Sequence, residues 1–229
     1  MADVGGLSVP EMRALAGKAA RGAGLEWGLA EEAGWAAALL HAGGQDGAGL
    51  LARVLVGWRG CASLQVAAGQ WRAHAPNLPL CALHVGVALV DFCGMDQGVS
   101  PARAVQIGPV AWPGFLLPHL AQTATRLSTD IELSWRNAGT KRLVVPAGGG
   151  LSFAQSPAGA ELIGLSEAEI VVRVPPQRAE FEAGVWPRSP PACAYAPTGL
   201  EMLRRFADET LVPASDASRR MGAGGTDGD

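Results

Sequence analysis

Lysine is nearly missing from this chain of 229 residues: Lys18 and Lys141 stand among 18 basic residues, so arginine carries almost all the positive charge. The 21 acidic residues outnumber the bases, and a net charge of -3 leaves no basic excess of the kind that draws a protein onto nucleic acid. Cysteine is scarce too. Cys61, Cys81, Cys93 and Cys193 sit at irregular spacings without a C-x-x-C pair, in a chain too long to need disulfide staples, and they read as reduced thiols. Long hydrophobic runs are lacking. The most apolar stretch, Leu78 to Phe92, is interrupted by Pro79 and His84, carries Asp91, and is shorter than the ~20 residues of a membrane-spanning helix. The opening residues show no basic segment followed by an apolar run, so neither a secretory signal nor a transit peptide is expected. These absences predict a soluble cytoplasmic protein with no nucleic-acid and no membrane partner.

What the chain does have is apolar material, 48% of its residues, against 17% charged, which is ample to offset the entropy of ordering and excludes wholesale disorder. Ser8 and Glu11 form an S-x-x-E capping box, and Met12, Leu15, Ala16 and Ala19 follow at helical spacing, predicting a helix over 9–21. Gly22 and Gly24 end it. Leu29, Ala33, Ala36 and Leu40 predict a second helix, stopped by Gly43 and Gly44, and Leu50, Leu51, Val54 and Leu55 a third over 48–56. Residues 1–56 are therefore expected to form a helical cap.

From Gly57 short apolar runs are punctuated by Gly and Pro, and residues 57–175 are expected to be mixed and mainly β. The run "CALHVGVALVDF" fits a buried helix or a strand. "AVQIGPVAW" reads as a strand and 114–127 as a packed helix. "IELSW" and "KRLVVP" predict a hairpin, and "LSF" after Gly150 and "EIVVRV" two further strands of an antiparallel sheet whose polar face would carry Lys141, Arg142 and Arg173. Residues 176–229 would hold a proline-rich surface crossing, a helix over 198–211 and a glycine-rich tail. The fold class predicted is α+β in a single domain.

Chemistry is thinly written. Cys81, His84, Asp91 and Cys93 lie close in sequence, but without the recurrent C-x2-C or H-x3-H spacing, and in an apolar run where cysteine acts as a small hydrophobe they read as core. No metal site and no cofactor is assigned. No serine sits in a G-x-S-x-G elbow, and the tail "GAGGTDGD" lacks the lysine and following helix of a phosphate loop. The segment "KAARGAGLEWGLAEEAG" is richer: Arg21 with glycine-flanked amides suggests an anion nest, Glu31 and Glu32 supply carboxylates at a helix start, and Trp27 can face a planar ligand. Adjacent residues on a helix point about 100° apart, so the two glutamates do not share one ligand. Ser215, Ser218, Arg219 and Arg220 form a second polar cluster, able to grip a carboxylate or phosphate.

The segment 13–40 and the closing "LVPASDASRRMGAGGTDGD" resemble the two ends of a bacterial, largely proteobacterial, domain-of-unknown-function family, with a KAARGAGxxWGLAEEAG opening and a VPASxxSRxxGAG closing. The resemblance runs through Lys18, Arg21, Gly22, Gly24, Trp27, Gly28, Glu31, Glu32 and Gly34 at the front. At the back it takes in Thr210, Val212, Pro213, Ser215, Ser218, Arg219, Gly222 and Gly224, with departures at Glu209 and Leu211. It implies a tail folded back on the domain, and it brings no activity with it. The functional expectation is an enzyme or ligand-binding protein of small-molecule metabolism acting on an anionic metabolite. Arg21, Arg219, Ser215 and Ser218 would bind the anion, Trp27 would wall the pocket, and Glu31 or Glu32 would serve as acid or base. The alternative is a non-catalytic interaction protein whose motifs are structural, with a homodimer as the default assembly.

Overall fold

Ser8 opens the first helix as the capping box requires: its hydroxyl accepts from the Glu11 amide while the Glu11 carboxylate accepts from the Ser8 backbone N–H at 2.8 Å. The computed structural model describes residues 7–137, 139–148, 151–176 and 197–210. Three helices follow in succession, α1 (Val9–Gly22), α2 (Trp27–Ala42) and α3 (Gly47–Gly57). α2 buries residues around most of its circumference, among them Ala30, Ala33, Ala36, Ala37 and Leu40, because it lies inside the helical layer. α7 (Pro197–Asp208) joins that layer against α1 and α3, burying Leu203 and Ala207.

The short strands β1 (Leu64–Ala67) and β2 (Gln70–Ala73) form a hairpin through Gly69, whose φ of +73° is the left-handed value a tight turn needs. Then come β3 (Leu80–Cys81), α4 (Ala82–Asp91), β4 (Val105–Ala111), α5 (Leu117–Leu127), β5 (Ile131–Arg136), β6 (Thr140–Val145), α6 (Pro157–Gly164) and β7 (Glu167–Arg173). The run expected as helix or strand is both, since the chain turns from β3 directly into α4 at Cys81. The sheet runs β1-β2-β4-β7-β5-β6, with β3 also on β4. β2 and β3 pair parallel to β4 and the other pairs are antiparallel, so the fold is α+β with a mixed, mainly antiparallel sheet. A register shift between Ile107 and Val110 explains how Pro109 sits inside β4: the irregularity releases the ladder bond that proline cannot make.

α4, α5 and α6 pack on the sheet, and α4 and α5 in turn meet α2. One continuous core joins Met12 and Leu40 of the helices, Leu89, Phe115 and Leu120 of the middle, and Trp71, Ile107, Leu133 and Ile170 of the strands. Three expectations need correction. "LSF" is not a strand: Ser152–Gln155 is a 3-10 turn, and α6 begins just beyond it because Ser156 caps the Gly159 amide and Pro157 suits the first helical position. The stretch 57–175 carries three α-helices beside its strands. Lys141 does not share a face with Arg142, as neighbours on a strand alternate: Lys141 reaches Glu161 of α6 at 3.6 Å, while Arg142 and Arg173 flank Glu132 on the other side. The proline-rich crossing, save Pro175, Pro176 and Pro197, the last of which opens α7, and the tail lie outside the described residues.

Candidate functional site

The helical stripe Pro10, Arg13, Ala14, Gly17, Lys18 and Arg21 recurs at intervals of three and four, and so does Trp27, Ala30, Glu31 and Gly34 on α2. These two stripes face a common hollow of ≈ 860 Å³, closed at one end by Glu209 and Thr210 beyond α7. Glycines allow it. A Cβ at Gly34 would stand 2.8 Å from the Arg13 carbonyl oxygen, and one at Gly22 would fall on the Phe206 carbonyl, so each helix approaches at a distance only glycine permits. Gly24, with φ +93°, turns the chain from α1 towards α2.

Arg21 donates to the Leu25 carbonyl at 2.6 Å, and its guanidinium stacks over Trp27, 5.4 Å from the ring centroid. The indole is nevertheless 67% exposed, with its other surface open. Arg13 and Lys18 stand along the same stripe, and Glu31 and Glu209 are the carboxylates of the hollow. The anticipated amide nest is absent here, because the N–H groups of Ala23, Gly24 and Leu25 close the end of α1 on Ala19, Arg21 and Ala20 carbonyls.

Of the residues singled out in the sequence, Arg21, Trp27 and Glu31 come together. Glu32 does not line the hollow. Both glutamates sit one turn later than a helix start, and Glu32 points inward to His119, whose Nε2 is 4.0 Å from its Oε2. Burial, Asp91 and Glu31 push the Glu32 carboxyl up, against the pull of Arg13. Ser215, Ser218 and Arg219 lie outside the described residues. Arg13, Glu209 and Thr210 were not anticipated. The signal for Arg13 was present in its i, i+4, i+8 relation to Gly17 and Arg21, whereas the two C-terminal residues arrive only by tertiary packing.

A second cluster was read as core. Cys81 is the N-cap residue of α4 and is buried, while Cys61 and His84 are half-buried and the Cys61 thiol donates to the Gly57 carbonyl at 3.6 Å. Cys61, then His84, holds the Cys81 thiol well below its ordinary range despite burial, which opposes it. Cys81 correspondingly pushes the His84 imidazole up, and together with burial pushes the Cys61 thiol up as well. No group of three His, Cys, Asp or Glu able to hold a metal occurs among the described residues.

Residues 7–104 match the model of a family described as Protein of unknown function (DUF3726). The match takes in the opening motif and ends well before the closing one, so it is shorter than the whole-chain resemblance read from the two motifs. Comparison with curated proteins and with solved structures returns no match. Among the described residues no helix is long and apolar enough to cross a membrane.

Proposed function

We propose that the hollow between α1 and α2 binds a small anionic metabolite, with its carboxylate or phosphate on Arg21 and Lys18, Arg13 alongside, and its planar or apolar part on Trp27. The observation that carries this reading is the convergence of three cationic side chains and an exposed indole on one concavity of ≈ 860 Å³, a size suited to a small molecule. Arg21 is held in place by Leu25 and Trp27, which lowers the entropy lost when its remaining N–H groups engage an anion. If the metabolite is turned over, Glu31 is the carboxylate placed to move a proton, and Glu32 is not. Ser215, Ser218 and Arg219 are proposed from the sequence alone as further contacts to the anion. In this reading the protein works in the cytoplasm of a bacterium, in small-molecule metabolism.

Thermal unfolding at fixed protein concentration, against carboxylates, phosphates, nucleotides and nicotinamide or flavin cofactors, tests the proposal. A ligand at ~100 times its Kd adds about 2.7 kcal/mol, a shift of several degrees in a chain of this size. The expected result is a hit that Arg21→Ala abolishes. A hit untouched by Arg21→Ala overturns the site. The exposure of Trp27 favours one second reading, a protein contact in which this face joins two copies into a homodimer. A silent panel together with a sedimentation change on Trp27→Ala would select it.

A further inference from the structure

The strand registers set the residues of the sheet in rows. Trp71, Ile107, Ile170 and Trp135 stand abreast on β2, β4, β7 and β5, all buried in the core shared with the helices. Alternation sends the residues on either side of them to the opposite face. Gln70, Gln106, Val171 and Ser134 form one row there, and Arg72, Gly108, Glu169 and Arg136 the other. Both rows line a hollow of ≈ 640 Å³, separate from the one between α1 and α2.

Two features of this face are not required by the fold. The ladder passes over Gly108 and Pro109 on both edges of β4, since β2 pairs up to Ile107, β3 starts at Val110, and β7 shifts register between those two residues. A Cβ at Gly108 would meet only the Trp71 carbonyl oxygen, at an ordinary 3.8 Å, and the backbone there is not left-handed. Neither packing nor conformation therefore calls for glycine; what it gives is a low floor on which another backbone can lie close to the sheet. The second feature is charge. Arg72, Arg136 and Glu169 are exposed, and among the described residues none of them forms an ion pair. Arg72 donates to Gln70 Oε1 at 2.7 Å, which holds its guanidinium at the rim.

We propose that this face binds an extended acidic peptide segment of a partner protein, laid across the strands with two carboxylates four residues apart. Arg72 and Arg136 are separated by three strand spacings, about 14 Å. Residues i and i+4 of an extended chain are also about 14 Å apart, and both point to the same side. Each guanidinium can grip one carboxylate through two parallel N–H donors. Between them Gln70, Gln106 and Ser134 offer amides and a hydroxyl to the N–H and C=O groups of the peptide. Glu169, between the two arginines, opposes a third acid at the centre. The only rings lining the hollow are those of Trp71 and Trp135, which are buried, so a ligand that needs stacking, such as a nucleic-acid base, is disfavoured.

Fluorescence anisotropy of the full chain with labelled heptapeptides tests the proposal, using Thr-Asp-Thr-Val-Thr-Asp-Thr and variants whose aspartates stand two, three or six residues apart. The i, i+4 peptide is expected to bind at least about 10-fold more tightly than the others, and Arg72→Gln or Arg136→Gln to weaken it by a similar factor. Gly108→Leu should abolish binding by filling the floor, with all three variants melting as wild type. Arg21→Ala should leave the peptide affinity unchanged, which separates this face from the α1/α2 hollow. Absence of binding by every peptide overturns the proposal, as does an affinity that Gly108→Leu leaves intact. Displacement of the peptide by phosphate or citrate at equal concentration would make the face a small-anion site and overturns it too. A wild-type dimer in sedimentation that Gly108→Leu dissociates would give the face to a second copy of the chain, with the same consequence.

Discussion

His119 Nε2 lies 4.0 Å from Glu32 Oε2, with the imidazole wholly buried and neither ring nitrogen hydrogen-bonded. Trp35 covers the ring edge-on at 5.4 Å, and Gly86 has no side chain because the imidazole occupies that space. Burial pushes the His119 pKa down to about 4, with the Phe115 carbonyl opposing weakly.

That depression fixes a pH dependence. A histidine harder to protonate when folded stabilises nothing at low pH: the unfolded chain takes up the proton first, so stability falls as pH drops from about 6.5 to about 4. The loss is about 3 kcal/mol in order of magnitude. Glu32 works in the opposite sense, because its raised carboxyl pKa favours the folded state on the acidic side, but it is partly exposed and screened. Urea midpoints at pH 7 and pH 5 should differ in wild type, and His119→Leu should flatten that difference without loss of stability at pH 7.

Gly22→Ala and Gly28→Ala make a matched pair. At Gly22 an added methyl meets the Phe206 backbone, so α7 must shift away from α1, at about 2 kcal/mol or more. At Gly28 nothing lies within 4 Å, and alanine in the first turn of α2 should gain about 0.5 kcal/mol. Melting temperatures moving in opposite directions would confirm both; equal shifts would contradict the α1–α7 contact.

Glu132 is 8% exposed and accepts from Arg173 at 2.8 and 2.9 Å, while Arg142, at 3.9 Å and largely exposed, adds little. Arg173→Met should therefore cost about 2–3 kcal/mol by leaving a buried carboxylate uncompensated, and Arg142→Met under about 1 kcal/mol. Equal losses in denaturant titration would show that the two arginines share the charge.

For the anion site the two glutamates give opposite expectations. Glu31→Gln removes a negative charge from the hollow and should tighten anion binding or abolish turnover, whereas Glu32→Gln should leave binding within about 2-fold, since it faces His119. Titration calorimetry with the best ligand of the thermal panel separates them.

Much of the helical layer was legible because its signals are local. The capping box at Ser8 and Glu11 and the apolar periods of α1 to α3 lie within a few residues of each other, and so do the β5 and β6 alternations. The hairpin of β1 and β2 escaped because each strand is four residues long, too short a run for the alternation around Val66 and the buried Trp71 to stand out. α6 escaped because its first turn follows a 3-10 turn that reads as a strand.

The sequence alone determined which faces of α1 and α2 carry charge and which carry small residues, since helical period converts spacing into direction. It also determined that the helices end where Gly24 and Gly44 take positive φ. Tertiary structure decided the rest. Only packing joined Arg13, Trp27 and Thr210 around one hollow and turned Glu32 away to His119. Each of these depends on where distant elements stop against one another, and close packing of side chains, rather than any local preference, sets that distance.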